Sequence, residues 1–252
     1  MPNPTPPPTS AGTDEPGQPR DLPWVRMKVA ASLDGRTALP NGDSRWITSP
    51  QARADGHAWR SRADAVLTGI GTVLADDPRL DVRLAPVQRQ PDLVVLDSRL
   101  RTPLDAQIFG PDRQLHIYCA GGVDPVQVAA LTARGARVCA LPGSRGQVDL
   151  RAMLFDLAQQ GIKVLHVEAG SELNGALLQA GVVDELLLYL APCLLGEGLP
   201  LARFGPLAAL SQAYTLTFDT IHHLGSDLRI VARLQPREIE PAASRIEDAP
   251  PA

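Results

Sequence analysis

Five short apolar runs leave this chain few folds to choose from: Ala65–Thr68, Leu93–Leu96, Leu115–Cys119, Ala136–Leu141 and Val164–Val167. Each is too short for a helix and too continuously apolar for a strand with one wet face, so each reads as a strand buried on both faces. Such strands belong to parallel sheets, whose crossovers are helices. Ser49–Arg62 is one such helix, with Ala52, Gly56, Trp59 and Ala63 at helical spacing, Ser49 as N-cap and Pro50 at the first helical position. Pro125–Arg134 and Leu150–Gln160 are two more, stopped at Gly135 and Gly161, and Leu173–Ala180 stops at Gly181. Val25–Ala31 is the first strand. In the last third, Glu185–Leu190, Ala213–Phe218 and Leu228–Leu234 follow one another without long helices, and Tyr214–Asp219 alternates as an antiparallel edge strand would. The expected fold is α/β: a mixed sheet, mostly parallel, with antiparallel C-terminal strands and helices on both faces.

Composition sets the borders of this body. Of 24 prolines, eight lie in residues 1–23 and four in residues 236–252. These segments lack the apolar residues that offset the entropy of ordering, so both read as disordered tails around one domain, residues 24–235. The formal net charge of −4 belongs to the tails as well, which leaves a neutral body with no basic face for nucleic acid or anionic lipid. No stretch has the length of a membrane span, and the N-terminus lacks the apolar core of a signal peptide. Cys119, Cys139 and Cys193 are odd in number and lie in apolar runs, as buried thiols of a cytoplasmic protein would. His166-Val167-Glu168 with Pro192-Cys193 imitates half of a zinc-deaminase signature, but Gly196 stands where its second cysteine belongs, so no metal site is expected.

Five segments can carry chemistry. Met27–Thr37 runs from a strand into Asp34-Gly35 past the small residues Ala30, Ala31 and Ser32; Lys28 in mid-strand needs either an edge position or a partner. Ser44–Pro50 sets Trp46 before a helix start, either to stack on a ring or as a core tryptophan. Thr68–Arg83 opens as strand-Gly69-x-Gly71, a loop that lets backbone approach phosphate, and continues through Asp76-Asp77-Pro78 to Arg79 and Arg83, with Arg60 on the preceding helix. Val167–Ala176 ends a buried strand in Glu168 and turns through small residues into a helix. Leu96–Arg99 ends a strand in Asp97-Ser98-Arg99, a pattern that suits a ribose hydroxyl or a 2′-phosphate.

In their joint order these segments resemble the reductase domain of the bifunctional riboflavin-biosynthesis deaminase-reductase, from about Trp24 to Leu234. The matching runs are Lys28–Thr37, Trp46–Ser49 with Ala52-Arg53, Thr72–Arg83, Leu96–Ser98, and Val167–Gly170 with Gly175–Leu178. The resemblance implies a dihydrofolate-reductase-like fold, a homodimer, and NADPH-dependent reduction of 5-amino-6-(5-phosphoribosylamino)uracil to its ribityl form. It places cofactor contacts on Ala30, Trp46, Thr72, Asp76, Ser98 and the turn of Gly170, Ser171, Glu172, Leu173, Asn174, Gly175 and Ala176. It places substrate contacts on Ser44, Arg60, Leu80, Arg83 and Glu168. Arg60 and Arg83 with Ser44 suit the 5′-phosphate, Glu168 the pyrimidine N–H edge, and Ser98 with Arg99 the 2′-phosphate. Lys28 and Asp76 are the expected catalytic pair, with Asp76 tuning the lysine that donates the proton. The family's zinc deaminase motif is missing ahead of Trp24, so a stand-alone reductase is expected, served by a deaminase on another polypeptide. The alternatives are a reductase of the undeaminated 2,5-diaminopyrimidinone, and a nucleotide-binding module without catalysis.

Overall fold

The computed structural model describes residues 21–235. The two expected tails lie almost wholly outside the described residues. Strand β1 (Trp24–Ser32) runs through the middle of a nine-stranded sheet, and its odd-numbered residues from Val25 to Ala31 are buried throughout. A short β2 (Arg36–Ala38) and α1 (Pro50–Arg60) follow, then β3 (Ala65–Gly69), α2 (Ile70–Asp76), β4 (Asp92–Leu96) and β5 (Leu115–Cys119). After them come α3 (Pro125–Ala133), β6 (Ala136–Ala140), α4 (Leu150–Gln159), β7 (Val164–Val167) and α5 (Ser171–Gln179). The chain closes with β8 (Glu185–Ala191), β9 (Leu199–Pro200), β10 (Leu216–Leu224) and β11 (Asp227–Leu234).

Across the sheet the order is β10-β11-β8-β1-β7-β3-β4-β5-β6, while β2 and β9 pair separately. All pairings from β8 to β6 are parallel; β11 runs antiparallel to both β8 and β10. The mostly parallel sheet with antiparallel closing strands is therefore as the patterning predicts. So are the helix stops: Gly135, Gly161 and Gly181 all have positive φ. Ser49 caps α1 by accepting from the Ala52 N–H, and Pro50 fills the first turn, where its missing donor costs nothing.

Side-chain parity sorts the core. Val25, Met27, Val29 and Ala31 of β1 join Leu165 and Val167 of β7 and Met153, Leu154, Leu157 and Leu177 of α4 and α5 on one face. On the other face Val66, Leu93, Val95 and Ile117 pack with Val73 of α2 and with Leu131 of α3, while Leu187 and Tyr189 of β8 pack with Ala52 of α1.

Three local expectations need correction. The Gly69–Asp76 stretch is not a glycine loop: Gly69 is the N-cap of α2 and neither Gly69 nor Gly71 has positive φ. Two glycines and the β-branched Ile70, Thr72 and Val73 masked a helix whose Val73 packs against Val66 of β3. α5 begins at Ser171, two residues ahead of Leu173. The edge strand spans Leu216–Leu224 rather than Ala213–Phe218, because the hairpin turn sits at Gly225, whose φ is 63°. Nearly every side chain of β10 is exposed, so no face imposes a period there.

Candidate active site

The carboxyl ends of β8, β1, β7, β3 and β4 stand side by side at one edge of the sheet, although the chain visits them far apart in sequence. Ligands of open α/β sheets bind at such edges, where strand order reverses. β7 enters between β1 and β3, and the register Met27↔Val167 sets Lys28 beside Glu168. Both project to the α1 side, since the apolar parity of β1 and β7 takes the other face.

Glu168 is the hub. The Arg60 guanidinium donates Nε to Oε1 at 2.6 Å and Nη2 to Oε2 at 3.0 Å, a bidentate pair. The Lys28 ammonium lies 3.7 Å from Oε2. The imidazole of buried His166 stands 3.5 Å from Oε1. Burial alone would raise the Glu168 carboxyl, but Arg60 and then Lys28 hold it well below the usual range. The edge-strand explanation of Lys28 thus falls away, for β1 is central; the lysine has a partner and also lies 5.9 Å from the Tyr189 ring. Tyr189 donates its hydroxyl to Asp55 at 2.7 Å, and burial and then that carboxylate push its ionisation far up.

A second cluster borders the first. Arg60 is 8% exposed, and its remaining nitrogen, Nη1, donates to the Asp81 carbonyl at 2.5 Å. The Asp81 carboxylate accepts from Arg79 at 2.8 Å and from Arg83. Burial would raise Asp81; hydrogen bonds from Arg79 and the charge of Arg83 lower it. The backbone here is pinned: Leu80 has a φ of 51°, its carbonyl accepts from Arg113 at 2.6 Å, and the Gln90 side chain bonds both Val82 N–H and Val82 carbonyl. The Arg83 N–H donates to His57 Nδ1 at 3.2 Å. Burial first, then Arg60 and Arg83, push His57 down to about 4.

At the outer rim, Trp46 is 70% exposed, with the Arg53 guanidinium 4.3 Å from its ring, so it is not a core tryptophan. Trp46 to Pro50, Ala191 to Cys193 and Ser226-Asp227 line an open cleft of ≈ 530 Å³. Asp34 ties this rim together, accepting from Ser32 Oγ at 2.5 Å and from the Leu195 and Gly196 N–H groups; these bonds hold its carboxyl at about 2.

A family model described as the RibD C-terminal domain matches residues 23–230. The chain belongs to this family. The riboflavin biosynthesis protein RibD of Escherichia coli is 38% identical over 82% of the chain, and that of Bacillus amyloliquefaciens is 37% identical over 84%. The chain spans 59% and 57% of their lengths. Among solved structures, Acinetobacter baumannii RibD superposes with a TM-score of 0.74 at 34% identity, covering 85% of this chain and 59% of that one.

The residues that the RibD resemblance points to do not all meet. Lys28, Ala30, Glu168 and Arg60 gather under α1, and Ser98 and Gly170 stand at the ends of β4 and β7. Asp76 does not pair with Lys28; it sits at the rim, half-exposed, 3.8 Å from Arg45. The α2 helix carries it there, with Thr72 half-buried one turn earlier. Arg60 is not open to solvent beside Arg83, because Glu168 and Asp81 use its guanidinium. Leu80 is buried, and Ser44 is exposed in a turn, its carbonyl accepting from Ile47. In the 170–176 turn, Leu173 packs against Gly69, and Asn174 donates to the Leu201 carbonyl at 2.8 Å. A Cβ on Gly175 would meet the Arg203 carbonyl oxygen at 1.8 Å, so that glycine serves close packing. Ser171 and Ala176 are half-buried, and Glu172 pairs outward with Arg203.

His57 and Asp81 had no site role in the sequence reading, which took Asp34 only as a turn residue and His166 only as part of the zinc-motif look-alike. His57 had a usable signal, lying three residues before Arg60 on one helix face. Asp81 had another, standing between two arginines. No cluster among the described residues could hold a metal ion, and no helix among them is long and apolar enough to cross a membrane.

Proposed function

We propose that the chain reduces 5-amino-6-(5-phosphoribosylamino)uracil to its ribityl form with NADPH. The observation that carries this reading is the Lys28–Glu168–Arg60 group, brought together from β1, the carboxyl end of β7 and the end of α1, within a RibD reductase-type fold. We place a single dinucleotide along the rest of the carboxyl edge. Ala30 leaves β1 narrow on the α1 side, and a Cβ on Gly170 would meet nothing within 4 Å. Strands at ~4.8 Å spacing make the edge from β1 to β4 roughly 15 Å long. Ser98 and exposed Arg99 end that line and suit a 2′-phosphate. Asp97, the acid that would otherwise take ribose hydroxyls, is fully buried and accepts from Thr102 N and Oγ1, which favours NADPH over NADH. Trp46 and Asp76 at the rim complete the cofactor set, with Thr72 and the α5 turn.

When bound, NADPH supplies the hydride that reduces C1′ of the ring-opened ribosylamine. Lys28 holds a proton within reach of the same face and donates it to the ribose ring oxygen as the ring opens. Glu168 keeps Lys28 in place and accepts from the pyrimidine N–H edge. Arg60 fixes both Glu168 oxygens, so their direction is set before substrate arrives. The phosphate falls to Arg83, with Arg79 and Ser44, because both arginines, though paired with Asp81, are half-exposed and Ser44 is exposed, while Arg60 is buried and used up by Glu168 and the Asp81 carbonyl. Asp76 is left as a rim contact.

Loss of absorbance at 340 nm, with either phosphoribosylaminopyrimidine present, tests the reading. Turnover of the deaminated substrate supports it; turnover of the 2,5-diaminopyrimidinone alone replaces it with the earlier reductase; saturation without oxidation leaves a binding module. A homodimer in the cytoplasm belongs to the same proposal. The exposed edge strand β10, with Phe218 66% exposed, is the surface that supports dimerisation, and sedimentation tests it.

A further inference from the structure

His57 joins the two halves of the site. It lies on α1 directly after Gly56, whose added Cβ would stand 3.9 Å from Lys28 Cε, and one turn before Arg60. The ring is buried, and its Nδ1 accepts from the Arg83 N–H at 3.2 Å, with Arg60 Nη1 at 3.5 Å. A backbone N–H removed from water needs an acceptor, and Nδ1 can act as one only while it carries no proton. The groups that face the ring are Arg60 from α1, Arg83 and Asp81 from the pinned segment, and Glu168 from the end of β7. The Arg60 guanidinium at 3.5 Å and the charge of Arg83 both favour the neutral ring. The contact is to backbone, so it fixes where the Arg83 residue stands, while the half-exposed guanidinium, held by Asp81 through Nη1, turns its outer side to solvent and a ligand.

We infer that His57 is a positioning residue, which as a neutral acceptor sets the distance between Arg83 and the Lys28–Glu168 pair. The helix that packs on Lys28 thereby also places the phosphate-binding arginine, and a phosphorylated pentose is measured between them. This rests on the proposal that Arg83 takes the substrate phosphate.

The test compares His57→Leu, which removes the acceptor at similar volume, with His57→Asn, whose Oδ1 occupies the place of Nδ1. The leucine variant is expected to raise KM for the phosphoribosylaminopyrimidine about tenfold, as for one lost hydrogen bond. Its kcat and its KM for NADPH stay within about twofold, and the asparagine variant recovers most of the loss. Calorimetric titration with ribose 5-phosphate and with ribose gives a readout independent of turnover. Only ribose 5-phosphate should bind more weakly to the leucine variant. A leucine variant without effect, an asparagine variant as impaired as leucine, or equal losses in kcat and both KM values would overturn the inference. If the wild type binds ribose 5-phosphate and shows this pattern without turnover, the positioning role stands and the proposed activity falls. If it binds neither sugar, both fall. Should the leucine variant not fold, His57→Gln, which displaces the acceptor by one methylene, takes its place.

Discussion

The two faces of β1 and β7 are built from alternate residues of the same strands, yet they are chemically opposite. On one, Met27, Val29, Leu165 and Val167 lie against α4 and α5 with no charge among them. On the other, Arg26 pairs with Glu185, Lys28 and Arg60 with Glu168, and Asp55 with Arg229 beneath α1. Burying apolar side chains stabilises by about 1.5–3 kcal/mol each. Buried ion pairs contribute little net, because desolvation offsets the attraction. One face therefore holds the fold, and the other holds charges in place at a cost that only chemistry explains.

Substitutions on adjacent residues can break this comparison. Lys28→Met is expected to lower kcat by 10²–10⁴-fold, the usual range for a lost general acid, while the melting temperature barely falls. Wild-type turnover in that variant would remove Lys28 from the proton role. Met27→Ala, one residue away, should do the reverse. It should cost about 2–5 kcal/mol in denaturant titration while the folded fraction keeps its kcat. If both variants behaved alike, the two faces would not be separate in function.

The charged face should also govern the response to pH. His57 has a folded value of about 4, below its unfolded 6.5. The unfolded chain therefore binds more protons between these values, and stability is complete above about pH 6.5 and lost as pH falls towards 4. The difference corresponds to about 3 kcal/mol. His166, also lowered by burial, adds with the same sign, so His57→Asn should flatten the profile only in part. Glu168, held low, contributes stability above its unfolded value near 4.5 that is lost only at more acid pH. Thermal melts from pH 2 to 8 check both, and a wild-type profile flat between pH 4 and 6.5 would contradict the buried neutral ring. The smallest effect belongs to the shared support: Ser49→Ala should cost about 1 kcal/mol, the worth of an N-cap, and affect both faces through α1.

Much of this was legible in the linear sequence. The five apolar runs, the capped helix at Ser49-Pro50 and the glycine stops each depend on neighbours within a turn or a strand, so local chemistry decided them. Lys28 in mid-strand announced that a partner was needed, and Glu168 at a strand end announced a site. Which acid met which base was not legible. Asp76 looked suited to Lys28, but helix α2 carries it to the rim, and β7 enters beside β1 only through the order of the sheet. Arg60 and Arg83 looked like one clamp. Packing of α1 turned the first inward to Glu168 and left the second outside, held through His57. Sequence by itself determined the period of each element, because period reflects backbone geometry and the division between water and core. Tertiary structure alone decided the charge partners, because ion pairs between distant residues are set by strand order and register, which no local pattern records.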